Sequence, residues 1–144
     1  MTTMKQDVSI GPADLAAHFL GIVELYRAHG WTHASDPTRL RRAIECSSLA
    51  VVGLDGDGRV VGFARAMSDE AFAVYIADIL VAPERQREGI GTRLTEAILD
   101  HYPLERFHHQ VLVAERGAEG FYRKLGLVSV TSFGLTAFIR ARED

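Results

Sequence analysis

The sequence predicts an α+β domain built on a mixed, mostly antiparallel sheet that is flanked by helices. Residues 49–54, 59–67 and 71–81 are three β-like runs that follow one another closely. Asp55-Gly56-Asp57-Gly58, between the first two runs, is a strong hairpin signal. The third run leads through a glycine-containing turn and an amphipathic helix to a further β-like run at 107–114. These last two strands are therefore expected to pair in parallel.

The complete predicted order is β-α-α-β-β-β-α-β-α-β-β. Residues 15–26 repeat apolar side chains at helical spacing, with Pro12 near the first turn of the helix and Gly30 as its stop. Asp36 is placed to cap a second helix that starts at Pro37. The other predicted elements are a strand at 7–10, helices at 92–100 and 118–125, and final strands at 127–131 and 135–140.

The composition fits a single domain that spans residues 1–144. A net charge of −3 argues against a nucleic-acid partner and against attraction to anionic membranes. The single cysteine, Cys46, excludes an internal disulfide, and no apolar run reaches the roughly 20 residues that a membrane helix needs. A single cysteine suits a reducing cytoplasm, so a cytoplasmic protein is expected. No spacing of His and Cys suggests a metal site.

An anion-binding turn is predicted where the third β-like run ends. Pro83 stops the strand, and a polar turn with Gly89 and Gly91 leads into the next helix. Glycines allow close backbone approach, and the free N–H groups and dipole of a helix N-terminus favour negative charge. The turn has neither a Walker ending nor the three glycines of a dinucleotide fingerprint. On this stretch alone, a turn without a ligand explains the pattern about as well.

Two motifs carry a family resemblance. The order Val81-x-Pro83-x-x-Gln86-Arg87-x-Gly89-x-Gly91 resembles the pyrophosphate loop of the GNAT superfamily of N-acetyltransferases. Residues 118–127, Ala-Glu-Gly-Phe-Tyr-Arg-Lys-Leu-Gly-Leu, are similar to the second signature of that family. The motifs stand in the family's order, and the predicted elements match it along nearly the whole chain. The resemblance implies an enzyme that uses acetyl-coenzyme A to acetylate a primary amine of a small molecule.

The resemblance also implies where the coenzyme binds. The pantetheine arm is expected along Ile79, Leu80 and Val81, where the strand must separate from its parallel neighbour, and a backbone N–H near Leu80 would face the thioester oxygen. The pyrophosphate is expected on the N–H groups of the glycine turn. Glu88 in that turn, and Glu115 where many relatives have asparagine, depart from the family pattern. The expected coenzyme contacts are Ile79, Leu80, Val81, Gln86, Arg87, Glu88, Gly89, Ile90, Gly91, Thr92, Glu115, Phe121, Tyr122 and Lys124.

Three residues are candidates for the catalytic proton transfers. Tyr122 matches the family position of the general acid that protonates the departing thiolate, and a phenol with a pKa near 10 is protonated at neutral pH. Packing on the coenzyme without proton transfer is the alternative for Tyr122. The base is open between Asp78, Tyr75 and a chain of water molecules. Asp78 and Tyr75 would lie on opposite faces of a regular strand, so only a β-bulge could direct both into one site.

Trp31, Asp69, Tyr75 and Asp78 are the expected contacts of the acceptor amine. Asp69 could attract a cationic amine, although turn capping is the commoner role for such a residue. Trp31 fits either a wall of the acceptor pocket or a hydrophobic lid on the sheet. Direct attack within a ternary complex is expected, because the helix that carries Cys46 has no part in either motif.

Other functions and an assembly remain open at this point. The acceptor could be a protein or peptide amine, and the chain could instead be a coenzyme A-binding regulatory module without catalysis or a nucleotide-binding protein. A homodimer through the C-terminal strands is expected from the apolar run at 135–139, which would otherwise be exposed.

Overall fold

The computed structural model describes residues 7–142, and its largest element is a five-stranded sheet. The strands lie in the order β1-β2-β3-β4-β5, with antiparallel neighbours from β1 to β4 and a parallel pair of β4 with β5. The predicted α+β class is therefore confirmed, including the parallel pair. The strands are β1 (Ser9–Pro12), β2 (Leu49–Leu54), β3 (Val60–Ser68), β4 (Ala73–Val81) and β5 (His109–Leu112).

Four α-helices begin close to their predicted positions. Asp14 and Asp36 cap the first two, because their carboxylates accept hydrogen bonds from the N–H groups of Ala16 and Arg39, each at 3.1 Å. Pro12, predicted near the first helical turn, is the last residue of β1, a position that an edge strand tolerates. The helices are α1 (Leu15–Ala28), α2 (Pro37–Glu45), α3 (Ile90–His101) and α4 (Glu119–Lys124).

Helices α1 and α3 cover opposite faces of the sheet. Phe63 of β3 packs against Tyr26 of α1, with ring centroids 6.0 Å apart. On the other face, a Cβ at Gly62 would lie only 2.8 Å from a methyl group of Leu94 in α3. The glycine therefore lets α3 approach the sheet closely, and this fixes where α3 begins relative to the end of β4.

The chain forms two compact units, the first ending at Val113 and the second starting at Ala114. The single domain remains a prediction.

The two final strands predicted at 127–131 and 135–140 are absent from residues 127–142. Instead, Val130–Phe133 is a 3-10 turn that Ser129 caps, and the chain beyond it has no regular secondary structure. A strand needs a hydrogen-bonded neighbour, and this segment has none among the described residues.

Candidate active site

A β-bulge in β4 brings Tyr75 and Asp78 onto the same face of the sheet. Arg65 pairs with Asp78, and Met67 pairs with Tyr75. The two pairs are therefore two positions apart in β3 but three positions apart in β4. Ala77 is the extra residue. Because Arg65 and Met67 share a face of β3, their partners share it too. The bulge that the two candidate residues required is therefore present.

The second half of β4 has an open edge. Strand β5 pairs with β4 only from Ala73 to Ile76, so Ala77–Val81 has no strand on that side within residues 7–142. The N–H of Ala82 donates to Val61 O at 2.8 Å, and by alternation Leu80 also directs its polar groups toward β3. The separation predicted for the coenzyme arm is observed. The donors near Leu80 on the open edge are the N–H groups of Ile79 and Val81, because that of Leu80 itself faces β3.

One group on this edge already has a partner. His29, which follows α1, donates a hydrogen bond from Nε2 to Val81 O at 2.7 Å. The amide nitrogen of Gln86 lies 3.5 Å from the same oxygen. The polar groups left for a ligand on Ile79 and Val81 are therefore one carbonyl and two N–H groups. His29 was not predicted as a site residue, because nothing in the local sequence connects it with a strand 52 positions away.

The turn after β4 has the geometry of an anion site. Arg87 and Gly89 have positive φ angles of 66° and 83°. Gly89 is the N-cap of α3, and no side chain within residues 7–142 caps the first N–H groups of that helix. A Cβ at Gly89 would meet nothing within 4 Å, so the backbone there faces open space. The N–H groups of the first turn of α3 are thus available to an anion such as a pyrophosphate.

Glu88 does not oppose an anion at this turn. Its two carboxylate oxygens lie 3.1 and 3.0 Å from Nε of Arg85, and both side chains are largely buried. The pair is close to neutral, which removes the objection that a carboxylate in the turn would repel a phosphate. Nearby, Arg59 pairs with Glu84, and Arg93 donates to Val8 O at 2.7 Å.

Asp78 is part of a buried network and is only 8% exposed. Its Oδ2 accepts hydrogen bonds from Tyr26 Oη and from Arg65 Nε, both at 2.7 Å. Burial and the charge of Asp78 raise the pKa of Tyr26, so the phenol stays protonated. Burial lowers the pKa of Arg65, but the hydrogen bond and charge of Asp78 outweigh that effect and raise it. The network therefore contains an ion pair and a neutral phenol.

Neither partner of Asp78 was predicted from the sequence. Arg65 is a single charged residue inside an apolar β-like run, and it stands across a hairpin from Asp78. That isolated charge was the feature of the sequence from which an ion pair with Asp78 could have been predicted. The helical spacing indicated only that Tyr26 belongs to the apolar face of α1.

A cleft of about 370 Å³ lies beside the paired segments of β4 and β5, near the start of both strands. Its walls are mostly apolar, and Asp69 and Tyr75 are among the residues that line it. Asp69 Oδ1 accepts hydrogen bonds from the N–H groups of Ala73, Ala71 and Phe72 at 2.8 to 3.0 Å, and these bonds lower the pKa of the carboxyl to about 2. The cleft is lined by Met67, Ser68, Asp69, Ala73, Val74, Tyr75, His109 and Val111.

The four residues predicted to contact the acceptor therefore fall into two groups. Asp69 and Tyr75 line the cleft, whereas Asp78 and Trp31 do not. Trp31 is half-buried and packs against the ring of Tyr26 at 5.8 Å, an arrangement that favours the hydrophobic lid over the pocket wall. His109 also lines the cleft, whereas His108 packs on Phe72 at 4.8 Å.

The second unit contains the remaining predicted residues. Tyr122 and Phe121 lie on α4 with their rings edge to face at 5.0 Å. Burial, and then the negative charge of Glu115, raise the pKa of Tyr122. The phenol is therefore protonated throughout the physiological range, as an acid requires. Glu115 and Lys124 are both exposed.

Comparison with known proteins identifies the family to which this geometry belongs. The sequence model of the Acetyltransferase (GNAT) family matches residues 18–127. Serotonin N-acetyltransferase 2, chloroplastic, of Oryza sativa subsp. japonica is 35% identical over 112 residues, which are 74% of this chain and 55% of the relative. GCN5-related N-acetyltransferase 1, chloroplastic, of Arabidopsis thaliana is 37% identical over 95 residues, 65% of this chain and 48% of the relative. The chain thus spans about half the length of these curated relatives.

A solved structure of a member of the same family has a similar fold. A GNAT-family acetyltransferase of Streptococcus pneumoniae has a TM-score of 0.80 and 28% identity, and the match covers 96% of this chain and 100% of that one.

Among residues 7–142, no cluster of His, Cys, Asp or Glu is arranged to hold a metal ion. The helices in the same range are too short or too polar to cross a membrane.

Proposed function

The chain belongs to the GNAT family of acetyltransferases, and on that basis we propose that it transfers an acetyl group from acetyl-coenzyme A to a primary amine of a small molecule. The observation that carries the proposal is the continuity of two binding features. The open edge of β4 runs to Val81, and the uncapped N-terminus of α3 follows within ten residues of chain. An extended amide-containing arm fits the first feature, and a pyrophosphate fits the second.

The coenzyme would supply an activated acetyl thioester at the bulge. Ile79 and Val81 hold the arm by their N–H groups, and one of these N–H groups stabilises the negative charge that develops on the carbonyl oxygen. The N–H groups from Gly89 to Thr92 hold the pyrophosphate. In the overall step, the amine nitrogen bonds to the acetyl carbon and the C–S bond breaks. The amine loses one proton, and the sulfur gains one.

Tyr122 is the proposed donor of the proton to the sulfur. Its raised pKa keeps the phenol protonated, and it stands in the second motif, at the position that fills this role in the family. Phe121, Glu115 and Lys124 are proposed as coenzyme contacts on the same grounds of motif position.

The proton of the amine requires a different acceptor. Asp78 is held by Arg65 and Tyr26, and we assign it a positioning role that fixes the bulge beside the thioester. Tyr75 lines the cleft and is 41% exposed, and we propose that its hydroxyl orients the amine. A water chain that ends in solvent then removes the proton, which was the alternative to a direct carboxylate base.

We also propose that the second unit mediates homodimer formation. Several large apolar side chains between 133 and 139 are 60 to 92% exposed in the single chain. Patches of this kind mark interaction sites. A partner copy would also offer the strand neighbour that this segment lacks. The residues are Phe133, Leu135, Phe138 and Ile139.

A thiol-release assay with acetyl-coenzyme A and a panel of primary amines tests the proposed activity. We expect release that depends on both the amine and the protein. Tight coenzyme binding without release for any amine would instead identify a regulatory binding module. Melting temperatures supply the second arm, since ATP should stabilise the chain less than acetyl-coenzyme A does. Equal stabilisation would favour a nucleotide-binding protein.

A further inference from the structure

The cleft beside the bulge has one fixed negative charge, and its position limits the acceptor. Among residues 7–142, Asp69 is the only acidic residue that lines the cleft, and the remaining lining is mostly apolar. Three backbone N–H groups bind Oδ1 and hold the carboxylate at the start of β4. No partner of Oδ2 is found among residues 7–142. Since these N–H groups also lower the pKa of the carboxyl to about 2, the charge persists at every physiological pH.

This charge lies too far along the strand to bind the amine that reacts. Asp69 contacts the N–H of Ala73, whereas the open edge of β4 begins at Ala77. Tyr75 and Ala77 lie two and four residues beyond Ala73, and a strand advances about 3.3 Å per residue. A nitrogen that attacks between these two positions would stand about 7 to 13 Å from the carboxylate. Asp69 is therefore placed to bind a second, cationic group of the acceptor rather than the reacting nitrogen.

We propose that the acceptor is a linear diamine or polyamine, whose far ammonium pairs with Asp69 while its methylene chain lies in the cleft. This inference rests on the proposed acetyltransferase activity and specifies the substrate class of the same site. The apolar walls suit a methylene chain, with Met67 and Val111 among the side chains that would contact it. At roughly 1.2 Å per bond of an extended chain, the separation corresponds to about six to eleven bonds between the nitrogens.

The chemistry at the reacting end is unchanged. One terminal nitrogen forms the amide, its proton leaves by water, and the thiolate is protonated by Tyr122. The other terminal nitrogen keeps its proton and its charge, and it remains on Asp69 in the product. Because Asp69 is exposed, the ion pair is screened by water and its contribution is modest.

Steady-state kinetics on a series of straight-chain diamines, each compared with the monoamine of equal length, test the inference. We expect kcat/KM for diamines to exceed that of monoamines by about three- to five-fold, with an optimum within the stated length range and a decline at high salt. Asp69→Asn is the matched variant, because its amide oxygen can still accept the three N–H groups. It should lower kcat/KM for diamines by about three- to five-fold more than for monoamines, which would remove the preference.

Three results would overturn the inference. Diamines no better than monoamines would do so, as would an equal effect of Asp69→Asn on both series. An aromatic monoamine that is preferred over every diamine and unaffected by Asp69→Asn would do so as well. In each case, turnover of any amine by the unchanged protein still supports acetyl transfer, whereas no turnover of any amine overturns both proposals. The salt dependence is measured on the unchanged protein, so it decides the question even where the variant fails to fold.

Discussion

Tyr75 and Asp78 lie on one face of β4, although three positions separate them in the sequence. The extra residue in the strand, Ala77, reverses the alternation between them. Their surroundings nevertheless differ: the ring of Tyr75 borders the cleft, whereas the carboxylate of Asp78 is enclosed by Arg65 and Tyr26. The bulge therefore places Tyr75 at the cleft and the carboxylate of Asp78 against Tyr26 of α1.

The role of Asp78 can be tested by Asp78→Asn. This change leaves Arg65 without its ionic partner, and we expect a loss of about 3 kcal/mol in the free energy of unfolding, measured by urea denaturation. We expect the midpoints of the pH–rate profile to stay where they are, because Asp78 does not take the proton. A double-mutant cycle with Tyr26→Phe should show coupling between the two changes. Disappearance of the acidic limb of the profile would mean that Asp78 is the base after all.

The phosphate site can be tested at Gly89, which has a φ of 83°. Asn and Asp both tolerate this conformation better than other residues with a side chain, so the pair Gly89→Asn and Gly89→Asp isolates charge from strain. We expect the Asp variant to raise the coenzyme KM at least about 10-fold above the Asn variant, since its charge faces the pyrophosphate. Equal KM values for the two variants would place the phosphates elsewhere.

Tyr122→Phe tests the proposed acid. Removing the phenol hydroxyl should lower kcat by roughly 100-fold and leave the coenzyme dissociation constant unchanged, because the ring still packs. Calorimetric binding and steady-state kinetics on the same preparation separate the two effects. A variant that loses affinity while keeping its kcat would instead support coenzyme packing without proton transfer.

Asp69 should make the thermal stability of the protein depend on pH in the acidic range. Its folded pKa is about 2, below the ordinary value of 3.8. The unfolded chain therefore takes up the proton first, so the contribution of Asp69 is present above about pH 4 and is lost as pH falls toward 2. Melting temperatures between these values should fall less steeply for Asp69→Asn than for the unchanged chain. Asp100→Asn, on the exposed side of α3, controls for the general loss of a carboxylate. Equal slopes for all three proteins would contradict the account.

The proposed dimer predicts a concentration-dependent molecular mass. Phe138 is 92% exposed in the single chain, and Phe138→Ser should shift sedimentation toward the monomer. Leu20 is 80% exposed on α1, in the other unit, so Leu20→Ser is the matched control and should leave the mass unchanged. A monomer at all concentrations would exclude the interface.

Local patterns in the sequence were sufficient to predict most of the sheet. The hairpin at 55–58, the run that became β4 and the glycine turn each carry their signal within about ten residues. Features that depend on pairing between distant segments were not accessible. The bulge at Ala77 is set by the register with β3, and the contact of His29 with Val81 joins a helix end to a strand. The pattern of β4 indicated only that a bulge was required for Tyr75 and Asp78 to share a face.

In the C-terminal region, local composition predicted two strands that are absent from residues 127–142. Residues 127–131 and 135–140 have the apolar, β-branched composition of strands, but composition does not supply a hydrogen-bonding neighbour. Within the cleft, the lowered pKa of Asp69 depends on three backbone N–H groups converging on one oxygen, and turn chemistry alone did not indicate that geometry.

Hydrogen exchange of individual backbone amides, followed by NMR with and without acetyl-coenzyme A, tests the central claim most directly. We expect the coenzyme to slow exchange at Ile79 and Val81 and in the first turn of α3, residues 90–92. Ile10 of β1 is the matched control, because by alternation its N–H lies on another open edge of the same sheet and should not respond. Protection confined to these β4 and α3 amides would support the account. Coenzyme binding that leaves Ile79 and Val81 unprotected would contradict it.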